Sequence, residues 1–190
     1  MFNQVQYYNK NTKTLLLPYF FNQMIDSSMF GDDLVRLVFN TGFNQPLRAN
    51  IILQKQISPF PNSLQYLTFG DQYDQLIGQN VLPPNLTHLT FGYYYNHPIR
   101  PDVLPPNLTH LTFGYCYNHP IGPNVLPPNL TYLELGHKFN HLIKLSDLPP
   151  CLSELVFTNI DLNILTNIIN NLQDQLANVY DNSYKFIIRR

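Results

Sequence analysis

The sequence predicts a mainly β protein, a solenoid of about seven coils stacked through parallel strands and closed by a short C-terminal capping helix. Leu86, Leu108, Leu130 and Leu152 follow one another at intervals of 22 residues. A fixed period of this length is typical of repeat arrays. Within each copy, apolar and polar residues alternate as they do in a half-buried strand, and after Asp161 the apolar spacing becomes helical.

The N-terminal part is less regular. Residues 1–11 are expected to cap the stack, with Val5-Gln6-Tyr7-Tyr8 as a strand covering its first open edge. A degenerate first repeat runs from Thr12 to Asp33, and a second from Leu34 to Ser63, which is 30 residues long instead of 22. The surplus lies in Arg48 to Ile57 and is expected to emerge as a loop, either a binding loop or an idle insertion.

Four repeats of regular length follow, Leu64–Asn85, Leu86–Asn107, Leu108–Asn129 and Leu130–Cys151. In residues 86–91 the alternation places Leu89 and Phe91 in the core. Gly92 is expected to permit a backbone turn after the strand. Pro83-Pro84 favours a stiff extended corner, so the far side of each coil is predicted to be irregular rather than helical.

A polar residue recurs at one position of each repeat, directly after a core aromatic residue. The members are Asn22, Asn44, Asp74, Asn96, Asn118 and Asn140. Since a side-chain amide both accepts and donates hydrogen bonds, these residues are expected to form a buried structural ladder that satisfies turn groups between coils.

The C-terminal part differs from the repeats. From Leu152 the pattern degenerates, and apolar residues at helical spacing predict a helix over Leu162–Leu176 with Asp161 as its N-cap. A final turn and a strand at 184–188 complete a cap over 162–190. We therefore interpret residues 1–190 as a single repeat solenoid domain whose repeats span 12–161.

Composition excludes several functional classes. Charged residues are only 12 % and the formal net charge is −1, which argues against nucleic acid and membrane surfaces as partners. No apolar run approaches the roughly 18 residues of a membrane span, and no signal peptide is recognisable. The two cysteines show no pairing pattern. An intracellular, cytoplasmic and not secreted protein is expected.

The outward positions of the strands form the candidate partner-binding surface, because solenoid faces commonly bind ligands. These positions are Arg36, Tyr66, His88, His110, Tyr132 and Glu154, with Tyr93 and Tyr115 just past the strand ends. Tyr offers a large contact area and a hydroxyl at low entropic cost. Alternatively, a β surface favours Tyr and Thr for cross-strand packing alone.

Other candidates are weaker. His97, His119 and His141 form a column that could ligate Zn²⁺ or Cu²⁺, yet no Cys or carboxylate completes the set, and a solvent-facing rim is the simpler interpretation. The repeat position of Cys116 is occupied by Tyr94 and Lys138 in the neighbouring repeats. Such variation is typical of an unspecialised surface position. With no phosphate-binding loop, zinc motif or nucleophile elbow, the chain is expected to be neither an enzyme nor a cofactor protein.

The repeat resembles the FNIP repeat, a 22-residue relative of the leucine-rich repeat named for its Phe-Asn-x-Pro pattern. Phe43-Asn44-Gln45-Pro46 carries the pattern literally, while the segments at 95–98 and 117–120 carry Tyr for Phe. The resemblance covers Thr12 to Asp161 and implies a leucine-rich-repeat-like right-handed solenoid. Members are typical of social amoebae and of giant viruses that infect amoebae. In some viral members an F-box precedes the repeats and links a captured protein to a ubiquitin ligase. Because the repeats here begin near Thr12, an F-box is not expected before them.

Together these observations favour a non-catalytic protein–protein interaction module that recognises a partner protein of unknown identity, a host protein if the chain is viral. A structural or self-associating repeat protein without a specific ligand is the alternative. A metal-binding His ladder is the third and least favoured hypothesis.

Overall fold

The computed structural model describes residues 7–48, 50–52, 55–158, 160–176 and 185–189. Its strands are β1 Tyr7–Asn9, β2 Thr14–Leu16, β3 Arg36–Val38, β4 Asn50–Ile52, β5 Lys55–Ile57, β6 Tyr66–Thr68, β7 His88–Thr90, β8 His110–Thr112, β9 Tyr132–Leu135, β10 Glu154–Thr158 and β11 Lys185–Arg189. The helix α1 spans Leu162–Leu176.

Nine of these strands form one sheet in the order β1-β2-β3-β6-β7-β8-β9-β10-β11. Only β1 is antiparallel to its neighbour, and all other pairs are parallel and in register. About six turns of the chain connect the successive repeat strands. The predicted mainly β, leucine-rich-repeat-like solenoid is therefore confirmed. The assignment of the chain to one domain with two caps stays a prediction.

Each end of the sheet carries an added strand. β1 pairs with β2 and includes Tyr7 and Tyr8 of the predicted edge strand, whereas Val5 and Gln6 lie outside the described residues. β11 pairs with β10 in parallel, one residue later than the strand predicted at 184–188. The insertion at 48–57 contains a separate antiparallel hairpin of β4 and β5 in place of the expected loop.

Helix α1 begins and ends where the sequence predicted. The Asp161 carboxylate accepts hydrogen bonds from the backbone N–H groups of Asn163, at 2.9 Å, and Ile164, at 3.3 Å, which confirms the N-cap. Its apolar stripe of Leu165 and Ile168 is buried against the last coils. The helix thereby covers core residues at the end of the repeat stack.

Two columns of aromatic rings fill the core. The first column consists of Phe39, Phe69, Phe91 and Phe113, with ring centroids 5.6, 5.6 and 5.4 Å apart. The second consists of Phe43, Tyr73, Tyr95 and Tyr117, with spacings of 5.8, 6.1 and 6.3 Å. Within a coil the two rings lie much closer, for example 3.9 Å between Phe91 and Tyr95. The inner members of both columns, Phe69, Phe91, Tyr73 and Tyr95, thus contact rings in their own coil and in both neighbouring coils.

The stack of coils is curved. Ring spacing is 4.2 to 5.5 Å for the His88–His110 and His110–Tyr132 pairs on the outer face of the sheet. It rises to 6.3 Å at the Tyr95–Tyr117 pair, on the side of the core away from the strands. Because coils lie closer together at the strands than behind the core, the sheet occupies the concave side of the solenoid.

The glycines that follow the strands serve close packing rather than a turn. None of them has a positive φ angle among the described residues. A Cβ atom on Gly92 would lie 2.1 Å from the Gly70 carbonyl oxygen, and one on Gly114 would lie 1.9 Å from that of Gly92. The expectation of a glycine-dependent turn is therefore wrong in its reason, because the absent side chain is what allows successive backbones to touch.

The proline pair also differs from expectation. The Leu86 N–H donates to the Pro83 carbonyl oxygen at 3.2 Å, so Pro84 and Asn85 form the centre of a tight turn instead of an extended corner. Beyond the corner, the far side of the coils is irregular as predicted. Among the described residues of that side, single 3₁₀ turns at Ser27–Met29 and Leu145–Asp147 and the β4–β5 hairpin of the insertion are the regular structure.

The core contains two hydroxyls whose removal is expected to stabilise the protein. The hydroxyls of Tyr73 and Tyr95 are fully buried without a hydrogen-bond partner, and burial raises the pKa of both. Replacing either residue with Phe, the residue at position 43, should raise the free energy of unfolding by about 1 kcal/mol, because an unsatisfied buried hydroxyl is destabilising. Urea denaturation followed by circular dichroism measures this.

Tyr117→Phe is the matched control, since the Tyr117 hydroxyl is not one of the unsatisfied buried hydroxyls and the nearby Ile99 backbone opposes the rise in its pKa that burial causes. That variant should be neutral or less stable. Equal effects of all three substitutions would contradict the explanation.

Candidate interaction surface on the concave strand face

The predicted partner-binding residues lie side by side across the sheet. Register pairs Arg36 with Tyr66, Tyr66 with His88, His88 with His110, His110 with Tyr132, and Tyr132 with Glu154. We call these six residues the strand-face column. The alternation of each strand places them outward, because the intervening residues Leu67, Leu89 and Leu111 are buried.

The side chains of this column stack on one another. The Arg36 guanidinium carbon lies 4.0 Å from the centre of the Tyr66 ring, a cation–π arrangement. The Tyr66 and His88 rings are 4.3 Å apart, and those of His88 and His110 are 4.2 Å apart at an angle of 11°. Since the ring faces are covered by neighbouring rings, the column presents polar ring edges to solvent.

The hydrogen-bond network fixes how both imidazoles are protonated. The Thr87 hydroxyl donates to the Gln65 carbonyl oxygen at 3.0 Å, so it is left to accept from His88 Nδ1 at 2.9 Å. Thr109 arranges His110 in the same way. Each neutral ring therefore carries its proton on Nδ1, and Nε2 is an acceptor. Two acceptors thus lie on adjacent coils of the concave face.

Protonation of His88 is disfavoured in the folded protein. Burial, the neighbouring His110 and the positive charge of Arg36 lower the pKa of His88 from 6.5 to about 4. The unfolded chain takes up this proton near its ordinary pKa, whereas the folded chain does so only near pH 4. Consequently neutral His88 contributes fully to the free energy of unfolding above the unfolded pKa. This contribution is lost as the pH falls from the unfolded pKa toward the folded pKa.

A pH dependence of stability is expected from this histidine. The free energy of unfolding of the wild type should fall between pH 8 and pH 4.5 by more than that of His88→Phe, which keeps the ring stack but does not titrate. Urea denaturation at both pH values measures the difference. A His88→Phe slope equal to that of the wild type would show that His88 makes no such contribution.

The strand-face column carries charged residues near both ends. Arg36 lies near its N-terminal end, and Glu154 lies near its C-terminal end, where register pairs it with Lys185 of β11. Glu134 accepts hydrogen bonds from the hydroxyls of Tyr132 and Thr158. A partner lying along the column would therefore meet Arg36, then neutral ring edges, and then Glu154.

A second ring stack lies just past the strand ends. Tyr93 and Tyr115 are 4.6 Å apart with nearly parallel planes, and His137 follows Tyr115 at 4.5 Å. Tyr94 packs edge-on against Tyr93. Burial, followed by the neighbouring phenol of Tyr115, raises the pKa of Tyr93. Tyr93 and Tyr115 therefore widen the aromatic surface beside the strand-face column.

The recurring Asn position forms a chain of hydrogen bonds between coils. The backbone N–H at each position donates to the side-chain oxygen one coil earlier, at 2.9 to 3.0 Å. We call Asn22, Asn44, Asp74, Asn96, Asn118 and Asn140 the corner ladder. Its side chains are exposed or half-buried, so the expectation of a buried ladder is wrong. The aromatic residue before each ladder residue lies in the core, so the ladder residue itself lies at the solvent-exposed corner of the coil.

The His column beside the ladder also makes hydrogen bonds between coils. Nε2 of His97, His119 and His141 lies 2.9 to 3.2 Å from the backbone oxygen of the preceding ladder residue. Gln45 and Gln75 donate instead to the ladder side chain. In the described part of the chain, no three His, Cys, Asp or Glu side chains are grouped to hold a metal ion. These contacts favour a structural role for the column.

Cys116 and Cys151 are free thiols. Among the described residues, no hydrogen bond joins Cys116 to His110 or His119, the two histidines near it in sequence. The described helix is too short and too polar to cross a membrane.

Sequence reasoning missed one surface. Asn80, Asp102 and Asn124 have positive φ angles of 60 to 63° and lie beside grooves on the flank of the solenoid. Asn and Asp tolerate this conformation better than other residues with a side chain. Their recurrence just before Val-Leu-Pro-Pro was the available signal.

Comparison with known proteins supports the repeat assignment. The family model described as "FNIP Repeat" matches residues 56–94, 73–116, 95–138 and 117–159. A solved structure, titled "The crystal structure of CroV588 a novel circular LRR protein structure", is 43 % identical in sequence with a TM-score of 0.68. The match covers 75 % of this chain and 20 % of CroV588, so the chain corresponds to about a fifth of that protein. No match was found among curated proteins.

Proposed function

Since the chain belongs to the FNIP repeat family, we propose that it is a non-catalytic protein-interaction module whose concave strand face binds a partner protein. The proposal includes an intracellular site of action and, if the chain is viral, a host protein as the partner. The observation that carries it is the strand-face column, in which rings from four successive coils stack at 4.2 to 5.5 Å on one exposed face.

Stacking prepares this surface for binding. Each ring is held between its neighbours, and Thr87 and Thr109 also fix the orientation of His88 and His110. Side chains that are already ordered lose little conformational entropy when a partner docks. The surface is therefore suited to rigid recognition rather than to induced fit.

The arrangement also defines how a partner is recognised. A concave face accepts a narrow or convex element better than a flat one. The His88 and His110 Nε2 atoms accept hydrogen bonds from donors on the partner. Arg36, which is exposed at one end of the ring stack, favours an acidic group of the partner at that end through charge complementarity.

The test removes the polar ring edges of the strand-face column and is designed to leave the fold unchanged. A variant with Tyr66→Phe, His88→Phe, His110→Phe and Tyr132→Phe keeps the ring stack but removes every polar edge. His97→Gln, His119→Gln and His141→Gln together form the control, because Gln occupies the same position at 23, 45 and 75. Each protein would be used for affinity capture from an amoebal lysate after circular dichroism has shown equal folding.

A protein retained by the wild type and the control, and lost by the four-Phe variant, would support the proposal. Retention of the same proteins by all three forms, or of none by any form, would contradict it.

Self-association is a second candidate, and exposed apolar residues on the N-terminal cap and the first coil favour it. Phe20 is 76 % exposed, and Tyr7, Tyr19 and Met24 are each more than half exposed. Large apolar side chains that cluster on a surface commonly mark an interface. Sedimentation velocity over a hundredfold concentration range tests this candidate, with Phe20→Ser and Met24→Ser expected to abolish any concentration-dependent shift. A wild type that sediments as a monomer throughout excludes it.

A further inference from the structure

The corner ladder is incomplete at both ends. In each complete rung, a backbone N–H donates to the side-chain oxygen of the ladder residue one coil earlier. Asn22 begins the ladder, and its backbone N–H donates to no residue in the described structure. Asn140 ends the ladder, and its side-chain oxygen accepts no hydrogen bond from any described residue. One end of the repeat stack therefore carries an unused ladder donor, and the other end carries an unused ladder acceptor.

The chain itself does not supply the next rung. One repeat length of 22 residues after Asn140, it has reached Leu162, the first residue of helix α1. A cavity of about 460 Å³ lies between α1 and the last corner, and Asn140, Leu142 and Ile164 are among its lining residues. We call it the end cavity. It lies beside the unused acceptor, on the side of the last corner that faces α1.

Two existing rungs show what a donating coil contributes. Gln45 follows Asn44, and its side-chain amide donates to the Asn22 side-chain oxygen at 3.2 Å, beside the backbone hydrogen bond of 2.9 Å. Gln75 repeats this arrangement one coil later, and both of its rung's hydrogen bonds to the Asn44 side-chain oxygen are 3.0 Å long. One ladder oxygen can therefore accept from a backbone N–H and from the side chain of the following residue.

The first coil carries the same groups without a coil to receive them. Gln23 follows Asn22, its side chain is exposed, and its amide forms no hydrogen bond with the described residues. Met24 comes next and is 55 % exposed. Leu142 in the end cavity is 59 % exposed and occupies the same repeat position as Met24. Residues at one repeat position lie on adjacent coils of this stack, so Met24 of a second copy would contact Leu142.

The match between the two ends identifies the occupant of the end cavity as a second copy of this chain. A contact between two identical ends would bring donors against donors or acceptors against acceptors. Only a head-to-tail contact pairs the unused donors with the unused acceptor. Contacts of this kind continue from copy to copy and produce open chains or closed rings, whereas a two-fold contact stops at a dimer.

We propose that copies of this chain associate end to end, with residues 22–24 of one copy docked in the end cavity of the next. The two donors of the first coil share the Asn140 side-chain oxygen. Met24 lies between Leu142 and Ile164. Because α1 covers the core at this end, only the corner of the incoming copy reaches the last coil, and small contacts of this kind are weak. This end-to-end contact specifies the self-association candidate, on which it rests, and is independent of recognition by the strand face.

Two variants, each altered at one end, test this geometry by sedimentation velocity over a hundredfold concentration range. Asn140→Ala removes the unused acceptor, and the monomer should keep its stability in urea because that oxygen has no partner in the described structure. Gln23→Ala combined with Met24→Ser changes the opposite end. The matched control is Asn163→Ala, which changes an exposed Asn of α1 outside the end cavity.

The sedimentation coefficients of the wild type and the control should rise with concentration beyond the value for a dimer. Each end variant alone should associate roughly tenfold more weakly. An equimolar mixture of the two end variants should form a dimer and nothing larger, because it contains one intact donor end and one intact acceptor end per pair.

A wild type that stays monomeric would overturn the end-to-end contact together with the self-association candidate. Association of Asn140→Ala equal to that of the wild type, or a mixture that associates no better than its components, would overturn the end-to-end contact and leave self-association standing. Weakening by Asn163→Ala equal to that by Asn140→Ala would likewise count against the end cavity.

Discussion

Gly114→Ala is expected to destabilise the solenoid by about 3 kcal/mol or more. The new Cβ would lie 1.9 Å from the carbonyl oxygen of Gly92 and 2.5 Å from its carbonyl carbon. Both obstacles are backbone atoms, so relief requires that two coils move apart. That movement would lengthen the hydrogen bond from the Cys116 N–H to the Tyr93 oxygen, now 2.9 Å, and separate the core rings. Urea denaturation followed by circular dichroism measures the loss.

Gly122→Ala provides the control, because a Cβ at Gly122 would have no atom within 4 Å. This substitution should be neutral or stabilising by up to about 1 kcal/mol, since Ala restricts the unfolded chain more than Gly does. If the two variants unfolded at the same urea concentration, close packing at the glycine column would not be a determinant of stability.

Phe91→Ala is expected to cost about 3 to 5 kcal/mol. Phe91 is buried, and its ring lies 5.6 Å from Phe69, 5.4 Å from Phe113 and 3.9 Å from Tyr95. Truncation leaves a cavity bordered by three coils, and it removes stacking contacts in both directions along the core. The free energy of unfolding from urea denaturation is again the measurement.

Two further variants show whether ring stacking or simple volume matters. Phe91→Leu should cost about 1 to 2 kcal/mol, because Leu135 fills the corresponding position two coils later without exposure to solvent. Tyr94→Ala removes a half-exposed ring and should cost less than about 1 kcal/mol. A loss for Phe91→Ala as small as that for Tyr94→Ala would contradict the role assigned to the core columns.

The architecture was predictable because each repeat carries the same strand and turn pattern at the same positions. Alternation in residues 86–91 identifies the strand and its buried Leu89, and the fixed period places the next strand beside it. Helix α1 was predictable to the residue because the chain changes from the repeat to helical spacing directly after Asp161, a good N-cap. The strands and the helix depend on residues that are close together in sequence, and a single sequence shows all of these residues.

Features that depend on the distance between coils were not predictable in the same way. The role of Gly92 follows from the approach of Gly70, and the covered ring faces of His88 and His110 follow from a spacing of 4.2 Å. Likewise, the exposure of Asn96 depends on where the neighbouring aromatic residue points. A repeat pattern shows which residues share a column but not how closely or on which side they meet.

The corner ladder gives the stack a direction. At every rung the later coil supplies the N–H and the earlier coil supplies the oxygen, from Asn44 with Asn22 to Asn140 with Asn118. At the ladder itself, removing coils from the C-terminal end therefore exposes only spare acceptors, whereas removing them from the N-terminal end leaves donors without partners. The sheet differs, because there an earlier coil also donates to a later one, as the Phe91 N–H does to the Thr112 oxygen. During synthesis, each emerging coil finds its ladder acceptor already in place on the coil made before it, so the ladder can assemble in the order of translation.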